Sequence, residues 1–499
     1  MADSRYSRQE LIEGWDQSKW SNLTAIVLGD GLLGQQIYEN IIAMGIGKAI
    51  IIGNKKRKRI SNLQESYSDG YLSEDIIADR AAQQSIVSSA KQFLSRVNPD
   101  VRQQGLHWYL QSKSLFTFIK NADIIFDATA DDTVKEQVSE HCKTNKLFLI
   151  SGKVGKYYGA FYLGTENQKN LEQLIGLKRE TEEIIPSMII GAMMVEEARK
   201  HFMPYDEAET KNIETLFKYD LFSKERFSLS NIASISLPPH SKSETTLSET
   251  TLPKTALQNK NILCIGAGAL GTPVTAGLVL LGANKITLLD YDTPNESNLA
   301  RQIFYYDSLG KPKSETLARK LSQLNPELTI TALNAKLVAE RDDQHDAYVK
   351  GYRLITPQEL QDNNYDIIFS CLDNFKARVL LEQIGIPLVH GGTSYSSTKV
   401  VFYLPGITQS PSQQFRFHDL AEEELDRDSC DNVAEPSIMT TSKICAGLML
   451  GEGLRYLAAQ TTTEKAALHN DCINGFLTYN TFEPKRAVVI RRENNGASQ

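Results

Sequence analysis

The chain of 499 residues carries one sequence pattern twice. TAIVLGDGLLGQQIYENIIAMGIGKAIIIG in the first half and NILCIGAGALGTPVTAGLVLLGANKITLLD in the second each begin with a β-branched run that ends at a GxGxxG turn. An apolar helix follows, and in the second half Leu270, Val274, Leu278 and Leu281 share one face at a 3.6-residue period. A second apolar strand closes the pattern. This is a βαβ unit, which normally belongs to a parallel sheet covered by helices on both faces.

Further echoes follow in the same order in both halves. LSRVNPDV corresponds to LSQLNPEL, DIIFDATADD at 123–132 to DIIFSCLDN at 366–374, and LFLISGKVGKYYGAFYL to IPLVHGGTSYSSTKVVFYL. The pair Pro186–Ser187 is matched with Pro436–Ser437. Four matched blocks in one order indicate a tandem duplication. The predicted fold class is therefore α/β, with two tandem Rossmann-like domains, each a mostly parallel sheet with helices on both faces.

The domain boundaries follow from composition. The stretch SISLPPHSKSETTLSETTLPKT is rich in Ser, Thr and Pro and has no apolar period, which is typical of a flexible or extended connector. We predict a first domain over 1–233, a linker over 234–257 and a second domain over 258–499. The tail LTYNTFEPKRAVVIRRE has one strand-like alternation and is expected to form a closing hairpin.

Composition excludes several classes of protein. Lys plus Arg total 54 and Asp plus Glu total 61, so the net charge of −7 argues against nucleic acid as the main partner. No apolar run approaches the ~18 residues of a membrane span, and the N-terminus lacks a signal peptide's apolar stretch. The cysteines lie far apart and never as a CxxC pair, so we expect a cytoplasmic protein without structural zinc. They are Cys142, Cys264, Cys371, Cys430, Cys445 and Cys472.

The glycine turns predict a phosphate site, because a GxGxxG turn lets the backbone approach a phosphate and points helix N–H groups at it. Asp290 ends the strand that follows in the second copy, where a carboxylate would accept the ribose hydroxyls. An NAD-dependent dehydrogenase remains open on these residues alone. The glycines are Gly29, Gly31 and Gly34 in the first copy and Gly266, Gly268 and Gly271 in the second.

The polar residues after that strand favour a different nucleotide. Arg and Lys neutralise the charge of a triphosphate, and a carboxylate holds its magnesium, whereas a nicotinamide site has little need for so many polar groups. Asp373 follows a predicted parallel strand and is the expected magnesium ligand, unless it serves as a helix N-cap. The polar set is Asp290, Asp292, Asn298, Arg301, Gln302 and Lys313.

These motifs match a known family. GAGALG, DYDTPNESNLARQ, GKPK and CLDN in the second copy resemble the adenylation domain of ubiquitin-activating enzymes and of the bacterial enzymes that adenylate sulfur carriers. The N-terminal RYSRQELIEGWDQSKWSN resembles the segment that opens the bacterial enzymes. The resemblance implies that the two copies pack as a pseudo-dimer and that Arg8 from the first copy reaches the ATP of the second. Arg5 is the less favoured choice, and without the resemblance Arg8 would be a surface residue.

The resemblance further implies ATP and Mg²⁺ as cofactors and a ubiquitin-like protein with a C-terminal glycine as substrate. Its carboxylate would enter near Gly391 and Gly392 and attack the α-phosphate. The nucleotide-binding set by resemblance is Gly266, Gly268, Gly271, Asp290, Asp292, Asn298, Arg301, Gln302, Lys313 and Asp373, with Mg²⁺ on Asp373 and Arg8 from the first copy.

The first copy keeps its glycines but loses the chemistry. GNKKRKRISNLQES has no acid where Asp290 and Asp292 stand, and only Asn62 echoes Asn298. Asp131 is a possible echo of Asp373, but without its partners it is expected to be structural. The basic run 55–59 is either a solvated loop or a patch for nuclear targeting or an acidic partner. We predict a non-catalytic first copy.

Cys430, in LDRDSCDNVAEPSIMTT, stands where family members place a cysteine that attacks the adenylate. Asp428 and Asp431 flank it and would raise its pKa, whereas a following helix N-terminus would lower it. The alternative is an exposed loop cysteine without a role. Four other cysteines fall within predicted strands or helices and are expected to be inert core thiols.

The leading hypothesis is an enzyme that adenylates a ubiquitin-like protein, takes it as a thioester on Cys430 and passes it to a conjugating enzyme. A prokaryotic conjugation or antiviral defence pathway is the expected setting. One alternative is an adenylyltransferase for a sulfur carrier or peptide that forms no thioester. Another is a nucleotide-sensing or scaffolding protein that does not turn over.

Overall fold

The computed structural model describes residues 4–55, 85–166, 168–206, 212–229, 256–325, 327–340, 348–349, 351–423, 435–460 and 475–491. Over these ranges each copy contains one eight-stranded sheet, and the two sheets have the same strand order. The α/β class and the tandem Rossmann-like architecture predicted from the sequence are confirmed.

In the first copy the sheet order is β3-β2-β1-β4-β5-β6-β7-β8. Strands β1 to β5 pair in parallel, and β6 to β8 extend the sheet as antiparallel strands. The described strands are β1 Thr24–Leu28, β2 Lys48–Gly53, β3 Arg102–His107, β4 Ile124–Asp127, β5 Phe148–Val154, β6 Tyr158–Leu163, β7 Phe217–Asp220 and β8 Phe227–Leu229. The described helices are α1 Ser7–Glu10, α2 Gln17–Ser21, α3 Leu32–Ala43, α4 Ile86–Val97, α5 Lys113–Ile119, α6 Asp132–Asn145, α7 Gln168–Ile175 and α8 Ile184–Phe202.

The second copy repeats this topology as β11-β10-β9-β15-β16-β17-β18-β19 and adds a small sheet, β12-β14-β13. Its described strands are β9 Ile262–Ile265, β10 Lys285–Leu289, β11 Thr329–Leu333, β12 Ala335–Leu337, β13 Tyr348–Val349, β14 Tyr352–Ile355, β15 Ile367–Ser370, β16 Leu388–Thr393, β17 Ser397–Tyr403, β18 Gly475–Asn480 and β19 Ala487–Arg491. Its described helices are α9 Gly271–Leu280, α10 Lys313–Leu324, α11 Pro357–Gln361, α12 Phe375–Glu382, α13 Pro411–Phe415, α14 Phe417–Glu423 and α15 Met439–Ala459. The predicted closing hairpin is confirmed as β18 and β19.

One hydrophobic core joins the two copies. The long helices α8 and α15 lie against each other, and both are buried along nearly their whole length. Apolar side chains of both copies, such as Ile189 and Leu450, belong to the same cluster. Burial of this shared apolar surface holds the copies together as the predicted pseudo-dimer. Among the described helices, none combines the length and the apolar character that a membrane crossing needs.

The closing hairpin of each copy is also tied to the long helix of the other copy. Arg226, between β7 and β8, pairs with Glu452 on α15 at 2.8 Å, and Arg486, between β18 and β19, pairs with Glu197 on α8 at 2.6 Å. All four side chains are buried. We call these two ion pairs the reciprocal clasp.

Two backbone contacts accompany the clasp. Arg455 donates to the Leu221 carbonyl at 2.7 Å, and Lys200 donates to the Thr481 carbonyl at 2.9 Å. Because Lys200 and Arg455 make equivalent contacts, they show which residues of α8 and α15 correspond. One predicted correspondence between the two copies is wrong. Pro186 lies in the first turn of α8 whereas Pro436 precedes α15, so the two Pro–Ser pairs are not equivalent.

The predicted linker lies mostly outside the described residues. Its last two residues, Ala256 and Leu257, are buried in the shared core. The boundaries at 233 and 257 stay predictions.

Candidate functional site

The glycine turn of the second copy lies between β9 and α9. Gly266 has a φ of +92°, and a Cβ there would lie 2.7 Å from the Cys371 carbonyl oxygen. A Cβ on Gly271 would overlap the Gly266 carbonyl oxygen. On Gly268, by contrast, the nearest atom would be Gln302 Nε2 at 3.8 Å. The outer glycines therefore allow strand, turn and helix to pack closely, whereas the described residues leave room at the middle glycine.

Asp290 anchors this turn from the end of β10. Its Oδ2 accepts a hydrogen bond from the Ala267 N–H at 2.6 Å, and its Oδ1 accepts one from the Asp292 N–H at 2.7 Å. Burial raises the pKa of Asp290 to about 6, and the nearby Lys313 ammonium opposes the shift. The geometry thus gives Asp290 a role in holding the turn. The predicted contact with a ribose stays a prediction.

Lys313 lies beside the turn at the first position of α10. Its Nζ is 3.3 Å from Asp292 Oδ2, and its backbone N–H donates to the Asp292 carbonyl at 2.9 Å. The side chain is buried, so its positive charge is only weakly screened by water. A buried ammonium next to an anion-binding turn is suited to hold a phosphate.

Asn298, Arg301 and Gln302 come from one compact turn, of which Gln302 lies beside the middle glycine. Asn298 Oδ1 accepts from the Asn295 N–H, and its carbonyl accepts from the N–H groups of Arg301 and Gln302. Arg301 donates to the Ser297 carbonyl at 2.9 Å. Among the described residues, Gln302 Oε1 is buried without a hydrogen-bond partner, which makes it an acceptor suited to a bound ligand.

Asp373 stands at the carboxyl end of β15, as predicted, and it is exposed. The loop that carries it touches the glycine turn, because the Cys371 carbonyl lies against Gly266. The N-cap of α12 is Asn374, whose side chain accepts from the Ala377 N–H at 2.9 Å. The alternative that Asp373 is the helix N-cap is therefore wrong.

The same caps correct the first copy. Asp131 caps α6 by accepting from the Val134 N–H at 3.1 Å, so its equivalent is Asn374. Ala130 then takes the position of Asp373. The equivalent of Asp373 in the first copy is thus an alanine, and the cap gives Asp131 the structural role expected for it.

The N-terminal segment of the first copy reaches the second copy's site. Helix α1 contacts the turn Glu296–Asn298, and the Arg8 carbonyl accepts from the Ser437 N–H at 3.2 Å. The Arg8 side chain is buried. Arg5 lies within the electrostatic field of Glu296. Both arginines are thus near the second copy, and the choice of Arg8 stays a prediction.

In the first copy the acid stands on the glycine turn, and a glycine takes its place at the end of the second strand. In the sheet register Gly53 takes the place of Asp290, and Asp30 takes that of Ala267. Asp30 Oδ2 accepts from the Lys55 N–H at 2.7 Å, so the carboxylate now stands on the turn rather than on the strand. Asp30 thus still ties the turn to the chain after the strand, but the first copy has Gly53 where the second has Asp290.

Glu182 fills the space in front of the first copy's middle glycine. Its Oε2 accepts from the Leu33 N–H at 3.0 Å, and a Cβ on Gly31 would overlap its carboxylate. Leu33 lies at the start of α3, where N–H groups and the helix dipole favour an anion. Burial raises the pKa of Glu182. A carboxylate from the chain itself therefore occupies the first copy's anion position.

The carrier's predicted entry lies on β16. A Cβ on Gly391 would overlap Met449 Sδ, so this glycine serves core packing. Gly392 faces Arg378, whose nearest nitrogen would be 3.7 Å from a Cβ there. Arg378 Nε donates to the Leu372 carbonyl at 3.0 Å, next to Asp373. The role of this strand in carrier binding stays a prediction.

The cysteines of the described part are core thiols. Cys142, Cys264 and Cys445 are buried, and burial raises the pKa of each to about 12. Burial also raises the pKa of Cys371 well above its usual value. Their predicted inertness follows from the absence of thiolate. The predictions on Cys430, Asp428, Asp431, Cys472, Asn62 and residues 56–59 lie outside the described residues.

In the described ranges no three His, Cys, Asp or Glu side chains converge as a metal site. Mg²⁺ in nucleotide sites takes one or two carboxylates together with the phosphates, so the exposed Asp373 beside the turn fits such an ion.

The sequence matches a known family along most of its length. A sequence profile of the ThiF family matches residues 6–238 and again 247–495. The chain belongs to the ThiF family. This confirms the resemblance to ThiF-like and ubiquitin-activating-type adenylyltransferases, and it confirms the duplication.

Relatives of this ThiF protein include three named enzymes. Molybdopterin-synthase adenylyltransferase of Salmonella typhimurium is 33% identical over 27% of this chain and 50% of its own length. Ubiquitin-like modifier-activating enzyme 5 of Dictyostelium discoideum is 26% identical over 40% and 53%. SAMP-activating enzyme E1 of Haloferax volcanii is 29% identical over 27% and 46%. The chain thus spans about half the length of the curated relatives it matches.

Among solved structures, E. coli MccB with the selenomethionine form of MccA matches with a TM-score of 0.35. The identity is 17%, over 49% of this chain and 67% of that one.

Proposed function

We propose that the second copy of this ThiF protein uses ATP to adenylate the C-terminal carboxylate of a ubiquitin-like or sulfur-carrier protein. The observation that carries the proposal is the contrast between the two glycine turns. The first turn binds the Glu182 carboxylate, whereas the second is open at Gly268. The first copy therefore serves as an internal example of an anion on this turn, and the second is free to take the phosphates of a nucleotide.

The proposed chemistry places the phosphates of ATP between the glycine turn and Lys313. The carrier carboxylate attacks the α-phosphorus, a new P–O bond forms, and the bond to pyrophosphate breaks with its electron pair on the leaving group. Lys313, Arg301 and Arg8 would neutralise the charge that develops on the phosphates. Mg²⁺ on Asp373 would supply further neutralisation. Asn298 and Gln302 would hold the nucleotide through hydrogen bonds.

We extend the proposal to a thioester step. The Cys430 thiolate would attack the acyl carbon of the adenylate, and AMP would leave with the bonding electrons. A conjugating enzyme would then receive the acyl group, in a prokaryotic ubiquitin-like conjugation or antiviral defence pathway. The relatives named ubiquitin-like modifier-activating enzyme 5 and SAMP-activating enzyme E1 support this extension.

Adenylation of a sulfur carrier without a thioester is the second candidate. It is supported by the relative named molybdopterin-synthase adenylyltransferase, which has the higher identity of those described above. Both candidates share the ATP chemistry and differ only at Cys430. A non-catalytic scaffold is less supported, because Lys313 and Asp292 form a charged pair beside the open turn.

The test is intact mass under non-reducing conditions. The protein is mixed with ATP, Mg²⁺ and a β-grasp protein that ends in a free glycine. A thiol-sensitive adduct that is lost in Cys430→Ala but kept in the control Cys472→Ala supports the thioester route. AMP-modified carrier without an adduct supports the sulfur-carrier route.

The adenylation step has its own matched pair of variants. Asp373→Asn is expected to abolish AMP transfer, because it removes the carboxylate charge next to the phosphates. Asp131→Asn makes the same change in the first copy, where Asn still caps α6, and should leave AMP transfer unchanged. If neither AMP-carrier nor adduct forms and no ATP is bound, the proposal is wrong.

A further inference from the structure

Three buried side chains hold the backbone of the second glycine turn at one residue. The Ala267 N–H donates to Asp290 Oδ2 at 2.6 Å. The Ala267 carbonyl accepts two hydrogen bonds, from Tyr305 Oη at 2.7 Å and from Thr272 Oγ1 at 3.0 Å. Of these three residues, only Asp290 carries a sequence signal, at the end of the strand after the glycine turn. Such redundant fixation of one residue indicates that its orientation matters.

The orientation of the Ala267 carbonyl determines where the next N–H points. The two residues are joined by a trans peptide, in which C=O and N–H point in opposite directions. Because Tyr305 and Thr272 draw the carbonyl inward, the Gly268 N–H is turned outward. Within the described residues this N–H donates to no protein acceptor, and the space in front of Gly268 is open.

Tyr305 is well placed to act as a fixed donor. It ends the short 3₁₀ turn Ile303–Tyr305, directly after Gln302, and it is fully buried. Its other neighbour of suitable type, the Lys313 carbonyl, is 3.4 Å away, so the Ala267 carbonyl is the stronger acceptor. Burial and the Asp290 carboxylate raise the pKa of Tyr305 well above its usual value, which keeps the hydroxyl protonated.

The first copy shows how the turn differs where the anion position is filled by the chain itself. Asp30 replaces Ala267, and Gln35 replaces Thr272. Gln35 Nε2 donates to the Asp30 carbonyl at 3.1 Å. The carbonyl thus points inward in both copies, and in both the helix start faces an anion position. In the second copy the Tyr305 hydroxyl adds a shorter hydrogen bond to the same carbonyl.

We propose that Tyr305 is a positioning residue that presets the Ala267–Gly268 peptide so that the Gly268 N–H binds a phosphate of ATP. This inference rests on the proposed function. In Tyr305→Phe the carbonyl loses its shortest hydrogen bond, and a fraction of molecules turns the peptide away from the ligand. The apparent affinity for ATP then falls by that fraction, whereas saturating ATP restores the competent orientation. The expected signature is a raised KM for ATP with little change in kcat.

The experiment measures ATP–pyrophosphate exchange by the full chain in the presence of the β-grasp protein that ends in a free glycine. The loss of one buried hydrogen bond predicts about a three- to tenfold rise in the KM for ATP in Tyr305→Phe, with kcat within about twofold. Thr272→Val should have a smaller effect. The double variant should exceed the product of the single effects, because both donors hold one carbonyl.

Tyr38→Phe is the matched control. Tyr38 is a fully buried tyrosine of the first copy whose hydroxyl donates to the Gln104 carbonyl at 3.4 Å, away from the site. It should leave the KM unchanged. A general loss of structure would lower kcat in proportion to the inactive fraction and would not move the KM.

The outcomes separate the two proposals. Active wild type with an unchanged KM in Tyr305→Phe overturns the role of Tyr305 and leaves the proposed function standing. Wild type that binds ATP but shows no exchange overturns the proposed function. In that case the dissociation constant of ATP, measured by calorimetry, decides on Tyr305 by the same three- to tenfold criterion. Wild type that binds no ATP overturns both.

Discussion

Removal of the Glu182 carboxylate should convert the first copy's turn into an open anion site. The Leu33 N–H, at the start of a buried helix, donates a hydrogen bond of 3.0 Å to the Glu182 carboxylate. Glu182→Ala deletes this acceptor. A hydrogen bond to a charged group contributes about 1.5–3 kcal/mol. The burial cost that raises the pKa of Glu182 offsets part of this. We therefore expect Glu182→Ala to lower the free energy of unfolding by about 1–2 kcal/mol.

The assay is denaturant unfolding with and without inorganic pyrophosphate. In Glu182→Ala the vacated space should accept the anion, and an anion at ten times its dissociation constant adds about 1.4 kcal/mol to the free energy of unfolding. Asp30→Ala in the same background removes the neighbouring acid and should strengthen the rescue. Glu182→Gln keeps an acceptor oxygen and the side-chain volume. Its loss of stability, and its stabilisation by pyrophosphate, should therefore be smaller than those of Glu182→Ala.

The charge of Glu182 is tested by pH. A carboxyl whose pKa is raised in the folded protein favours folding in its protonated form, so wild type should lose stability relative to Glu182→Gln as pH rises. If Glu182→Ala is as stable as wild type and pyrophosphate stabilises neither, the carboxylate does not stand in for a bound anion.

Three further results are expected. Arg486→Met should lower the free energy of unfolding by about 3–5 kcal/mol, because Glu197 is left as a buried charge, and Glu197→Gln in that background should recover part of it in the same denaturant titration. Wild type should bind ATP more weakly below pH about 6, where Asp290 takes up a proton and loses an acceptor, and calorimetry on Asp290→Asn should show no such inflection. That same raised pKa means that Asp290 favours folding at low pH and that this contribution is lost between its usual pKa and about 6. Lys313→Met should lower exchange at least tenfold, whereas Lys19→Met, on the exposed surface of the first copy, should not.

The repeated pattern allowed the fold to be predicted in detail. Strand, turn, helix and strand follow one another with the same spacing in both halves, and local sequence determines these elements. The polar residues after β10 could be picked out as a group, because they lie within one short stretch of chain, and their role in binding a nucleotide stays a prediction. Two of them meet the glycine turn, Asp290 at the Ala267 N–H and Gln302 beside Gly268, as the usual geometry of a βαβ unit leads one to expect.

Residues that act across long distances in the sequence were missed. Glu182 is 149 residues from Leu33, and Tyr305 is 38 residues from Ala267. Neither pairing has a local signal. The matching of Asp131 with Asp373 failed by one position, although the ungapped alignment of DIIFDATADD with DIIFSCLDN already places Asp131 opposite Asn374, as the helix caps confirm.

One signal was present and could have been read. KYDLFSKERF at 218–227 and TYNTFEPKRA at 478–487 share a Tyr, an Asx and an Arg at equal spacing. This fifth echo is the pair of hairpins that carry the reciprocal clasp. Its function as a clasp depends on Glu452 and Glu197 of the opposite copy, which no single-copy motif contains.

The reciprocal clasp has a consequence for how the two copies can be separated. Each hairpin completes its own sheet while its arginine is neutralised by the other copy, so either half alone would expose a buried charge and half of the shared core. Cutting the peptide chain within 234–255 should therefore yield two fragments that stay together as a heterodimer. The peptide connection ensures that the two halves are made in equal numbers. The contacts between α8 and α15 hold them together.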